Sequence, residues 1–233
     1  MSRVEDPIAA YDGKAEDFAQ HRLSYARGAI DVILEVTGLD TTWIVADIGA
    51  GTGHVAKHFV GRVASLYAVE PNDGMREQAE RSLGGFAAFV SVSGTAEKTT
   101  LPKNALDLIT VGQALHWFDA DAARREFARI LKPDGKLAVI RNRLGEDEGP
   151  NLRPYFSDDV QHRSFPMTAK ETWDTFIRGI RSSAASPAQS HPRYPSFERA
   201  QRENFDARAV RGILTLRYST EVAVGRLRRT SDA

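Results

Sequence analysis

The chain has no cysteine among its 233 residues. Disulfides, thiolate nucleophiles and cysteine-based zinc sites are thereby excluded. It also lacks a long hydrophobic run: no apolar stretch approaches the roughly 20 residues that span a bilayer, so no membrane association is expected. Residues Met1 to Pro7 are polar and acidic, without a basic start leading into an apolar stretch, and so do not read as a signal peptide; a cytoplasmic protein is expected. Neither sign of charge is in excess, with 31 Lys plus Arg against 31 Asp plus Glu. Proteins that live on nucleic acid usually carry a basic surplus or stripe, so no nucleic-acid partner is expected. The local clusters Arg141/Arg143 and Arg226/Arg228/Arg229 read as a solvated strand end and tail.

What is present is ordinary globular composition, 42% hydrophobic and 27% charged, on a length that suits one α/β domain. From Trp43 to Ile140 short β-rich runs alternate with helix-length amphipathic runs. Strands are predicted at Trp43–Ile48, Ala64–Glu70, Phe86–Val92, Ala105–Val111 and Lys136–Arg141, and helices at Gly53–Val60, Asp73–Leu83 and Ala120–Leu131. The last helix should stop at Lys132-Pro133-Asp134-Gly135, read as a turn. Such alternation reads as a doubly wound, mostly parallel sheet. Before it, Glu16 to Thr37 predicts one or two helices. After it come a loop at Leu144–Phe156, a short strand at Val160–Phe165, and a helix at Thr168–Ser183 with Thr168 as N-cap and Glu171 in a capping box. A proline-broken loop at Ser186–Pro195, a helix at Phe197–Val210 and a final strand at Ile213–Val224 complete the reading.

The densest chemical signal is Val45-Ala46-Asp47-Ile48-Gly49-Ala50-Gly51-Thr52-Gly53. A strand ends near a carboxylate, and a glycine-rich turn follows, where backbone can approach a ligand that a Cβ would block. The spacing departs from the G-x-G-x-x-G of dinucleotide sites. Asp47 is awkward beside a pyrophosphate and better suited to a ligand bearing an ammonium group. A plain glycine-rich turn is the blander alternative. The next strand ends in Ala68-Val69-Glu70-Pro71-Asn72, and a carboxylate there can accept both hydroxyls of a ribose. Met75 either packs in the core or flanks an aromatic base.

These residues resemble the motifs of class I methyltransferases that depend on S-adenosylmethionine (SAM). The likeness is to the small-molecule group that includes the ubiquinone/menaquinone C-methyltransferases and the trans-aconitate methyltransferases. It spans about residues 11 to 141, and the final strand more weakly. It rests on Asp47–Gly53, Glu70-Pro71, Gly94-Thr95-Ala96-Glu97, Gln113-Ala114-Leu115-His116-Trp117-Phe118 and Ile130–Gly135, in that order. An N-terminal stretch from Tyr11 through Arg22-Leu23-Ser24-Tyr25 resembles the group's lid, without the prolines that relatives carry there.

The resemblance implies one Rossmann-like domain with a seven-stranded, mostly parallel sheet and an antiparallel final strand. Residues 1–42 would form a helical lid, 43–141 the SAM-binding core, 142–210 a short acceptor-side insertion and 211–225 the last strand. It implies SAM as cofactor. Asp47, Gly49, Ala50, Gly51 and Gly53 would hold its methionyl part, Glu70 the ribose, and Pro71, Met75, Thr95 and Ala96 the adenine. Relatives often have Asp where Thr95 stands. Gln113 would lie along the amino-acid portion, Arg22 would meet the carboxylate or else be solvated, and Tyr11 would close over the ligand. His116 either packs or serves as a general base. Arg141, Asn142, Arg143, Tyr155 and His162 are acceptor contacts by position alone. No metal site is expected; His54 and His58 read as a helix surface.

The function expected is methyl transfer to O, N or C of a small molecule by a monomer or homodimer. The alternative is a non-catalytic SAM-binding regulatory or partner subunit. Transfer RNA or protein methylation on the same sheet is disfavoured by the missing basic face, and a nicotinamide-dependent oxidoreductase by the glycine spacing.

Overall fold

A computed structural model describes residues 6–145 and 149–228. Residues 1–5, 146–148 and 229–233 lie outside it, and with them most of the Met1–Pro7 reading, part of the loop predicted at Leu144–Phe156 and Arg229 of the basic tail. Two short helices come first, α1 (Ala15–His21) and α2 (Arg27–Thr37). Strands β1 (Ile44–Ile48), β2 (Ser65–Val69), β3 (Phe89–Val92), β4 (Leu106–Gly112) and β5 (Leu131–Leu144) follow, with α3 (Asp73–Leu83) and α4 (Ala120–Ile130) between them. The chain ends in β6 (Gln161–Glu171), α5 (Trp173–Arg181), α6 (Tyr194–Arg208) and β7 (Leu214–Arg226).

All seven strands form one sheet in the order β3-β2-β1-β4-β5-β7-β6. Pairing is parallel except where β7 runs antiparallel to both neighbours, so the expected mixed sheet with an antiparallel final strand is present. The order reverses direction between β1 and β4. In open α/β sheets that switch point opens a crevice beyond the strands' carboxyl ends, and it places the site.

Alternating side chains feed two cores. Ile48, Ile109, Val111, Leu137 and Val139 face α4, where Ala123, Phe127 and Ile130 are fully buried. Val45, Leu66, Leu108, Ala138 and Ile140 face α2 through Ile30 and Ile33. Burial of Phe127 alone contributes about 2 kcal/mol. A small satellite core of Phe176, Phe205 and Leu214 ties α5 and α6 to the start of β7.

Four local readings are corrected. The helix predicted at Gly53–Val60 is a turn followed by a single 3-10 turn at Ala56–His58. Gly53 has φ +85, and the Ala56 N–H bonds the Asp47 carboxylate instead of a helical carbonyl. The helix predicted from Thr168 begins at Trp173, because β6 continues to Glu171 against β7, pairing Thr168 with Arg217 and Glu171 with Leu214. Thr172, with Thr175, supplies the capping box. The Lys132–Gly135 turn is a bulge inside β5: Leu131 pairs with Leu106 and Lys136 with Leu108. Finally, Arg141 and Arg143 are no solvated strand end, since both pair with Glu221 at 2.6 Å.

Candidate functional site

At the end of β1 the Asp47 carboxylate is 1% exposed. Its Oδ1 accepts a hydrogen bond from the Thr110 hydroxyl of β4 at 2.8 Å, and its Oδ2 accepts one from the Ala56 N–H at 3.1 Å. Burial pushes its pKa up to about 7, against the pull of those two donors, with the negative charge of Glu70 adding to the rise.

The turn that follows runs through Gly49, Gly51 and Gly53 at φ +68, +55 and +85. Gly49 and Ala50 donate their N–H groups to the Val69 carbonyl, stitching the turn to the end of β2. A Cβ on Gly49 would lie 2.7 Å from that of Ala114, and one on Gly53 2.8 Å from Leu83. A Cβ on Gly51 would meet only the Phe18 ring at 3.7 Å, so its requirement for glycine is the left-handed backbone and the space in front of it.

Glu70, just past β2, is 9% exposed. One oxygen accepts the Gly51 N–H and the other the Asn72 N–H, both at 3.0 Å. Burial raises its pKa, opposed by those two bonds and by the nearby Arg76. A carboxylate has about four acceptor positions, so half of this one remains for a ligand. Asn72 caps α3 by accepting the Met75 N–H at 3.0 Å, and its amide donates to the Ile8 carbonyl and to Asp12. The N-terminal segment is thereby fixed over Glu70.

Two cavities adjoin at the glycine turn. The smaller, about 220 Å³, is lined by Glu70, Pro71, Met75, Thr95, Ala96 and Trp117 among others. The larger, about 560 Å³, lies between α1, the ends of β1 and β4, and α5. Phe18, Arg22, Gly49, Gly51, Gly112 and Gln113 border both. Tyr11 stands edge-on to Phe18 and Trp117 on the smaller side, and burial raises its pKa. Arg22 sits over the Phe18 ring at 4.7 Å. Gln113 follows β4 with φ +55, an unusual backbone for a non-glycine residue that clusters at functional sites. Its side-chain amide donates to the Asn142 carbonyl at 3.1 Å and accepts the Asn142 N–H at 2.9 Å.

The structure thus gathers Tyr11, Arg22, Asp47, Gly49, Gly51, Glu70, Pro71, Met75, Thr95, Ala96 and Gln113 around one crevice, with Ala50 on the wall of the larger cavity. Gly53 shapes the turn from behind. His116 is exposed; its ring rests 4.6 Å from that of Trp117, and neither cavity is lined by it. Of the acceptor contacts named by position, Asn142 lines the larger cavity. Tyr155 is buried beside Phe127, while Arg141 and His162 lie on a separate cleft with Glu221. His54 is not on a helix surface. It lines the larger cavity edge-on to Phe18, within 3.0 Å of the Thr52 hydroxyl, and burial lowers its pKa to about 4. Sequence reasoning also missed Phe18, Phe176 and Glu171 as wall residues. A helix over this stretch was expected, but no face of it could be assigned to a cavity before β6 and β7 were in place. Among the described residues no group of three His, Asp or Glu side chains is arranged to hold a metal ion.

The donor set fits SAM. Two buried carboxylates, neither with an ion-pair partner among the described residues, flank a backbone turn open in front of Gly51. They match an ammonium and a pair of ribose hydroxyls, and the Pro71/Met75/Ala96 wall matches a flat base.

Comparison with known proteins agrees. Residues 46–139 match the family model described as a methyltransferase domain. An uncharacterized methyltransferase of Mycobacterium bovis is 35% identical over 132 residues, which are 57% of this chain and 51% of the relative. The ubiquinone/menaquinone biosynthesis C-methyltransferase UbiE of a Shewanella species is 35% identical over 114 residues, 46% of this chain and 45% of that one. The chain therefore spans about half the length of these curated relatives. The crystal structure of the YcgJ protein from Bacillus subtilis superposes with a TM-score of 0.59 at 20% identity, covering 86% of this chain and 99% of that one, a likeness of fold. Over residues 46–139 the chain is thus similar to the methyltransferase domain, for which S-adenosylmethionine is the methyl donor, and the fold around it is shared with a solved structure of low identity.

Proposed function

We propose that the whole chain transfers the methyl group of SAM to an O, N or C atom of a small molecule. The observation that carries this reading is the pair of buried carboxylates, Asp47 and Glu70, bracketing Gly51 at the ends of adjacent strands where two cavities meet. When bound, SAM supplies a methyl group on a sulfonium, already activated for in-line displacement. The protein's tasks are then alignment and exclusion of water.

In this reading Asp47 and the backbone from Gly49 to Gly53, with Ala50 between, take the methionyl end. Arg22 takes its carboxylate, and Gln113 lies along it. The free acceptor positions of Glu70 take the ribose hydroxyls. Pro71, Met75, Thr95 and Ala96 form the adenine wall, and Tyr11 and Phe18 cover it. Residues 1–42 are the lid, 43–141 the SAM-binding core, 142–210 the acceptor side and 211–225 the final strand. β6 within the acceptor side is itself part of the sheet. For an acceptor that must lose a proton, His116 is the base proposed. Its support is position beside Trp117, which does line the smaller cavity.

A small-molecule acceptor is supported by the cavity of about 560 Å³ and by a formal charge balanced at 31 against 31. No helix among the described residues is long and apolar enough to cross a membrane. A cytoplasmic monomer or homodimer, acting without nucleic acid or membrane, is the setting proposed. The test is calorimetric titration with SAM and S-adenosylhomocysteine. Micromolar binding that is lost or much weakened in both Asp47→Ala and Glu70→Ala supports the site; a folded wild type that binds neither ligand overturns it.

A further inference from the structure

The larger cavity has a half that the cofactor assignment leaves unused. Its walls are apolar, formed by Leu23, Leu144, Phe176, Ile180 and Leu216. Nearly every polar side chain among them is engaged with the protein itself. The Asn142 amide donates to the Leu23 and Ser24 carbonyls, and its oxygen accepts from Thr220. His21 contacts Arg178 at 3.3 Å. Thr175 is spent in the capping box of α5, and the Ser183 hydroxyl accepts the Ala185 N–H. Arg208 donates to Asn204, and both stand exposed at the rim on α6.

Glu171 is the exception. It is the last residue of β6 and alternates onto the half-buried face with Phe165, Met167 and Ala169. It lines the cavity, and among the described residues its carboxylate has no hydrogen-bond or ion-pair partner. A half-buried charge between apolar walls has shed water without gaining a donor, and a ligand cation restores what it lost.

We propose that Glu171 determines acceptor specificity, and that the acceptor is an apolar molecule carrying a protonated amine. The inference rests on the reading of this cavity as the acceptor site of a methyltransferase. A protonated nitrogen has no lone pair, so the group held by Glu171 is not the atom that receives the methyl. Glu171 anchors one end of the acceptor while another atom faces the crevice at Gly51.

The test uses two probes with the same phenyl ring and two-carbon arm but opposite charge, phenethylamine and 3-phenylpropionate. Each is titrated into protein saturated with S-adenosylhomocysteine, for wild type, Glu171→Gln and Arg208→Gln. The amine is expected to bind on the order of ten-fold tighter than the acid in wild type, as one charge-assisted bond allows. That preference disappears in Glu171→Gln, with S-adenosylhomocysteine affinity unchanged as evidence of an intact fold, and survives in Arg208→Gln. The inference is overturned by a preference for the acid, by binding of neither probe, or by an amine preference that persists in Glu171→Gln. Bound S-adenosylhomocysteine without amine preference strikes this inference alone. Absence of S-adenosylhomocysteine binding strikes the methyltransferase reading, and the same probes titrated into the free protein then decide the role of Glu171.

Discussion

Asp47 on β1 and Thr110 on β4 share a hydrogen bond of 2.8 Å across the point where the sheet reverses its strand order. The bond holds a carboxylate with almost no access to water at the one place where the two halves of the sheet diverge. Because burial lifts the Asp47 pKa from 3.8 to about 7, folding favours its protonated form. The stability this confers is complete below pH 4 and is lost as pH rises through 7. Asp47→Asn has no such loss. Between pH 4.5 and 8 its melting temperature should therefore gain on wild type by roughly 5 °C. Parallel melting curves over that range would remove the buried charge from the account.

Two glycines of the turn should separate by cause. Gly49→Ala strains a positive φ and drives a Cβ to 2.7 Å from Ala114. A loss of about 2–3 kcal/mol in urea unfolding is expected. Gly51→Ala meets nothing closer than 3.7 Å and should cost about 1 kcal/mol, yet weaken S-adenosylhomocysteine binding by more than ten-fold, because its methyl occupies the ligand's space. Equal effects on stability and binding in both variants would contradict the division.

The start of α5 gives a clean test of register. Thr172→Ala removes the capping hydroxyl and should cost about 1 kcal/mol, whereas Thr168→Ala, in an exposed strand position, should cost a few tenths. The reverse ranking in denaturant titrations would restore the cap that the local sequence suggests at Thr168.

That pair of threonines also shows where sequence reading stops. Thr168-x-x-Glu171 and Thr172-x-x-Thr175 are both plausible caps in isolation, and only eleven paired positions between β6 and β7 decide between them. The helix expected after Gly53 failed for a similar reason. The Ala56 amide is claimed by Asp47, a partner nine residues back that no periodicity reveals. By contrast, β1, β2, β4 and β5 announced themselves as continuous apolar runs, because strands covered on both faces leave no room for polar alternation. Asp47 and Glu70 were legible because strand ends followed by glycine or proline fix where a carboxylate must stand. Glu171 and His54 were not, since each reaches the cavity through an element placed by contacts distant in sequence.

The N-terminal helix α1 and the segment around the end of α5 are fastened directly. Lys14 donates to the Ser183 and Ser186 carbonyls at 2.9 and 2.8 Å, and Asp17 pairs with Arg181 at 3.2 Å. Lys14→Met should leave global stability within about 1 kcal/mol, while amide exchange across residues 15–21 accelerates several-fold by local opening. Unchanged exchange there would show that the aromatic contacts of Tyr11 and Phe18 hold α1 unaided.

His116→Gln decides whether a base is used. The proposed role predicts a loss of roughly 10²- to 10⁴-fold in kcat on an acceptor that must shed a proton, with the acid limb of the pH profile flattened. A rate within about two-fold of wild type assigns the exposed ring to the surface alone.

The amide of Gln113 occupies the place in the β4–β5 ladder that a further backbone step would have filled, giving and taking one hydrogen bond with Asn142 while its own main chain turns aside at φ +55. A side chain has become a counterfeit peptide group. The seam of the β4–β5 pairing is thereby carried on to Asn142, and the polypeptide leaves the ladder one residue early beside the crevice that Gly51 also lines. Shorter or branched side chains must surrender one of those two things, so an enlarged crevice at this position comes with a frayed seam, and a sealed seam with a narrower crevice.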